Sequence, residues 1–113
     1  MMHHEVEEHG GVAVIALSGD VMGGPDGAVL HDRLQDLKAA GRRNVVVDLA
    51  GVHTMNSSGL GMLIGALTSM RNAGGDLRLA RVSERVQSLL MITKLLGIFK
   101  HYPTVDEAVA SFG

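Results

Sequence analysis

The sequence predicts one α/β domain, a mixed sheet of four to five strands covered by about four helices. Three observations predict it. Runs of consecutive β-branched residues such as Val45-Val46-Val47 do not alternate with polar ones, which suits strands covered on both faces. Stretches with apolar residues at helical spacing separate these runs, so the later strands are entered through crossovers, right-handed where the strands are parallel. The length of 113 residues suffices for one core but not two.

Residues 1–10, MMHHEVEEHG, read as a flexible terminus, although Glu5 to His9 can add a short edge strand; the domain proper is placed at 11–113. Val12 to Ser18 is an apolar strand closed by Gly19-Asp20, near enough to the first to form a hairpin through His9-Gly10-Gly11. VMGGPDG reads as a loop. Val29, Leu30, Leu34 and Leu37 then mark a helix face, with Asp26 a candidate cap and Gly41 a stop. The strand at Val45 ends near Asp48, and Gly51 loosens the chain. A second helix starts among Asn56, Ser57 and Ser58, any of which can cap it, and Leu60, Leu63, Ile64, Leu67 and Met70 share one of its faces. Leu77 to Ala80 is a further strand, Ser83 caps a helix carrying Val86, Leu89 and Leu90, and Ile98 to His101 returns as a short edge strand. Thr104 with Glu107 has the spacing of a capping box for a last helix with Val105, Ala108, Val109 and Phe112 on one face.

Composition narrows the function. The net charge of -2, with no basic cluster beyond Gly41-Arg42-Arg43, argues against nucleic acid as a partner. That cluster reads as a solvated turn. There is no cysteine, and His3, His4, His9, His31, His53 and His101 form no ligand set by spacing, so neither a metal nor a cofactor is expected. No apolar stretch approaches the ~20 residues of a membrane span, and no charged-then-apolar leader opens the chain. A cytoplasmic protein without direct membrane insertion is expected.

Catalysis finds little support. MNSSGLG lacks the first glycine of the G-x-S-x-G elbow, His53 is too near in sequence for a triad, and the phosphate-binding G-x-x-x-x-G-K-[ST] loop is missing. No catalytic residue is assigned. The turn serves better as a substrate, because a helix N-terminus carries roughly +0.5 of a charge and favours an added phosphate. Ser57 and Ser58 are the candidate acceptors, and plain capping is the competing role for either. Along the helix Gly61, Gly65 and Ser69 form a low ridge beside Met62 and Ala66, suited to a partner's close approach or, equally, to tight packing on the sheet.

ALSGDV, VVVDLAGV, NSSGLG, GGDLRLA, VSERVQSLL and LLGIFKHYPTVDEAVASF occur in that order, and together they resemble the bacterial anti-sigma-factor antagonists of the STAS family from Gly11 onward. The resemblance implies the fold above and selects Ser57 as the phosphoacceptor, with Ser58 its rival. It implies an anti-sigma factor that is also a serine/threonine kinase with bound ATP, and a separate phosphatase. Phosphorylation would bring about -1.5 to -2 charges to a mostly apolar surface and release the partner. The expected partner-binding residues are Met22, Asn56, Ser57, Ser58, Gly59, Gly61, Met62, Gly65, Ala66 and Ser69, on a monomer or weak dimer. Two positions depart from the pattern: Asn56 and Met22 stand where phosphorylated members most often carry aspartate. They leave open a non-phosphorylated scaffold module of a signalling or lipid-transport complex, and a third reading places a small ligand or nucleotide at the turn.

Overall fold

The computed structural model describes residues 2–113. Strands β1 (His3–His9), β2 (Val12–Val21), β3 (Asn44–Met55), β4 (Asp76–Ala80) and β5 (His101–Tyr102) form a sheet in sequence order. β1 runs antiparallel to β2, and the remaining pairs are parallel. Helices α1 (Pro25–Ala39), α2 (Ser57–Asn72) and α3 (Glu84–Ile92) bury one face of the sheet. Helix α4 (Val105–Ala110) covers part of the other, where Ala108 packs on Val12, Val14, Val46 and Ala80.

Each helix entry has its own chemistry. Ser83 accepts from the Val86 amide at 3.2 Å and Thr104 from the Glu107 amide at 3.0 Å. Asp26 does not cap α1. Gly24, at φ 63 and ψ -127, takes that place without any side-chain bond, Pro25 presets the first turn, and Asp26 lies inside it. Val29, expected on the core face, is 43% exposed, whereas Leu30, Leu34 and Leu37 are buried.

The two central strands run well past their apolar cores. Gly19 and Asp20 remain within β2, and β3 continues through Gly51 to Met55, because each strand satisfies the other's amides through shifted register at Ala16/Ser18 and Gly19/Asp20. Residues 3–9 are a paired edge strand rather than a frayed end. Glu8 receives Arg42 Nε at 2.5 Å and Nη2 at 2.9 Å, so Arg42 ties β1 to the expected solvated turn. The segment expected as a strand at 98–101 divides instead into a 3-10 turn, Leu96–Ile98, and the two-residue β5. Among the described residues no helix is long and apolar enough to cross a membrane.

Candidate functional site: the entry to the second long helix

The site lies beyond the carboxyl ends of β2 and β3, where Val21 pairs with Met55. Extended backbone at Asn56 (φ -102, ψ -178) turns the chain into α2, and Asn56 Oδ1 accepts from the Gly59 amide at 2.8 Å. Asn56 is therefore the cap. Ser57 and Ser58 occupy the first two helical positions, both exposed, with hydroxyls free of capping and amides that have no partner within the helix. No acidic residue stands in this first turn.

Two glycines wedge the β2–α1 loop against the turn. A Cβ at Gly59 would lie 2.7 Å from the Val21 carbonyl carbon and closer still to its oxygen. A Cβ at Gly23, whose φ is +80, would meet Ser58 Cβ at 2.7 Å. Val21 O also accepts from the Asn56 amide at 3.4 Å. This clasp holds the β2–α1 loop, whose Met22 is 47% exposed, against the first turn of α2. Asp20 is committed elsewhere, since its Oδ1 accepts from Thr54 Oγ1 at 2.7 Å across the strand pair. Thr54 carries no motif signal and escaped the sequence analysis.

The residues expected to bind a partner divide between surface and interior. Met22, Asn56, Ser57, Ser58, Gly61 and Gly65 are exposed, and Met62 and Ser69 are half-buried. Gly59 and Ala66 are buried, so neither offers a surface of its own. Nothing lies within 4 Å of a Cβ at Gly61 or Gly65, so these two do not serve packing on the sheet. A groove of about 220 Å³ lies between α1 and α2 beside Gly65, lined by Leu30, Leu34, Met62 and Ala66. The Lys38 ammonium donates to Ser69 Oγ across it.

A second polar feature was also missed. Asp48, 5% exposed, receives Arg81 Nε at 3.0 Å and Nη2 at 2.5 Å. The hydrogen bond to Asp48, and then its charge, hold the Arg81 guanidinium above its ordinary pKa. Arg81 has φ 55, unusual without a glycine, and its amide donates to Tyr102 O at 3.0 Å. Among the described residues no three potential metal ligands cluster.

An antiparallel edge strand leading into parallel strands, with a serine-bearing helix entry at their carboxyl ends, defines a small domain of the STAS type. The STAS domain profile matches residues 3–108, and the chain belongs to that family. It is 32% identical over 108 residues to an anti-sigma F factor antagonist from Paenibacillus polymyxa, covering 93% of this chain and 87% of that protein. Among solved structures, an anti-sigma factor antagonist from Mycobacterium paratuberculosis superposes with a TM-score of 0.82 at 24% identity, covering 98% of this chain and 93% of that one. The Bacillus cell fate determinant SpoIIAA in its phosphorylated form superposes with a TM-score of 0.74 at 17% identity, covering 98% and 100%. Both superpositions show a shared fold.

Proposed function

We propose that this chain is an anti-sigma-factor antagonist, binding an anti-sigma factor that is also a serine kinase and losing that partner when Ser57 is phosphorylated. One observation supports an acceptor in this turn, and the family resemblance selects Ser57 over the equally exposed Ser58. Because Asn56 caps α2, the Ser57 hydroxyl is exposed and has no structural duty at the positive end of a 16-residue helix. The likeness to the Paenibacillus antagonist over nearly the whole chain supports the class of partner. The kinase supplies its own base and metal, so the substrate need only present the hydroxyl. With a neutral amide at the cap and no acidic residue in the first turn of α2, little negative charge within the helix entry opposes an incoming phosphate. A phosphatase would restore the binding form.

Incubation with the cognate kinase and ATP, read by intact mass, tests the reading. One phosphate is expected on the wild type and none on Ser57→Ala, while a phosphate retained by Ser57→Ala and lost from Ser58→Ala moves the acceptor to Ser58. A second reading, a scaffold that is never phosphorylated, is favoured by the apolar Met22 on the β2–α1 loop. It predicts a stable complex with the partner and an unchanged mass after ATP.

A further inference from the structure

The surface holds two features that the Ser57 site does not use. The first is apolar and cationic. Met91 and Ile92, in the last turn of α3, are 59% and 80% exposed, and Ile92 is the most exposed large apolar side chain among the described residues. Lys94 follows them by two residues, Arg85 and Lys100 are exposed on the same stretch, and Glu84 at the start of α3 is the last acidic residue before Asp106. In a chain of net charge -2 this is a locally basic knob with an apolar tip.

The second feature is a furrow of about 290 Å³ on the sheet face that α4 leaves uncovered. Val14, Ala16 and Val105 give it an apolar lining, and Glu5, Glu7 and Asp106 stand around it. Arg81, on its wall, is committed to Asp48 and cannot neutralise these carboxylates. Glu7 meets only the His9 imidazole, at 3.1 Å. The furrow is thus the knob's complement in charge, and each carries apolar surface.

One molecule cannot bring the two together. Val86 and Leu90 anchor α3 in the core on one face of the sheet, whereas the furrow opens on the face that carries α4. Pairing of knob with knob would set Arg85, Lys94 and Lys100 against their own copies. We propose that the knob of one copy docks in the furrow of the next. Met91 and Ile92 enter between the strands and α4, and Lys94 meets Glu5, Glu7 and Asp106. Such a contact is heterologous, so it builds head-to-tail assemblies, either open chains or closed rings. It is independent of the Ser57 reading.

Sedimentation equilibrium of the purified chain tests this, with two double variants altered only at exposed positions: Ile92→Ser with Lys94→Ser, and Glu5→Lys with Glu7→Lys. Circular dichroism and thermal melts establish that both fold. The wild-type mass should rise with concentration at low salt, and association should weaken at least about tenfold near 1 M salt, where the screening length falls to ~3 Å. Each variant alone should remain monomeric. Their equimolar mixture should give a one-to-one dimer that grows no further, since each variant keeps the half that the other lost. A wild type that stays monomeric at about millimolar concentration and low salt overturns the proposal. So does a mixture that fails to dimerise, or a knob that binds phosphatidylglycerol vesicles without self-association.

Discussion

Gly59→Ala probes the clasp that holds the site together. Alanine in place of glycine inside a helix ordinarily stabilises by ~1 kcal/mol, and Gly59 has no left-handed backbone to resist the change. The obstacle is the space. The new methyl carbon would stand 2.7 Å from the Val21 carbonyl carbon, whereas carbon atoms rest about 3.5–4.0 Å apart, so α2 and β2 must separate by about 1 Å. The opposing atoms are backbone of a fully buried strand residue and cannot swing aside. Overpacking of this kind costs about 3 kcal/mol; less the gain in helix propensity, about 2 kcal/mol of destabilisation remains, or a melting temperature lower by roughly 8 °C. Gly61→Ala and Gly65→Ala, which meet nothing within 4 Å, should instead each stabilise by ~0.5–1 kcal/mol. Urea denaturation of the three variants supplies the comparison. Equal stabilisation by all three would refute the close approach of Val21, and with it the account of how the serines are positioned.

Asn56→Ala should cost about 1 kcal/mol in the same assay through loss of the bond to the Gly59 amide, while Asn56→Asp should keep the cap and stay within a few tenths of the wild type. Arg81→Ala strands the buried Asp48 carboxylate, leaving it only the Ala50 amide at 3.2 Å, and should cost about 2 kcal/mol, the full penalty for a broken buried pair being discounted because Arg81 is half exposed. Asp48→Ala removes the buried charge itself and should cost less; the reverse order would contradict this reading of the pair. Burial pushes the Asp76 carboxyl up, but Arg78, the Leu77 amide and Arg71 together outweigh it and hold the group below its ordinary range. Its stabilising contribution is therefore present above the unfolded-state pKa and lost as pH falls through the lower folded value. An acid titration of stability should accordingly be shallower for Asp76→Asn than for the wild type.

The sequence carried the class of fold through periodicity. Val45 to Val47, the helical spacing from Leu60 to Met70 and the caps Ser83 and Thr104 are local signals, and local signals survive without knowledge of the rest of the chain. It also carried the position of Ser57, through the motif around it. It could not choose the cap, because Asn, Ser and Ser at successive positions have nearly equal capacity to accept a bond; the path of β3 past Met55 puts Asn56 in extended backbone and so decides the matter. Nor could it separate the glycines of α2. Spacing grouped Gly61 with Gly65 and left Gly59 among the exposed, yet only Gly59 faces another strand, and that depends on where β2 ends. Asp48 with Arg81, and Asp20 with Thr54, lie far apart in the chain and meet because parallel pairing sets β2, β3 and β4 side by side. The sequence by itself determined the main strands and helices and that α2 opens among Asn56, Ser57 and Ser58, since these rest on neighbours within a turn or two. The tertiary structure alone decided what Ser57 is free to do, since the path of β3 hands the cap to Asn56 and leaves the serine hydroxyl unused.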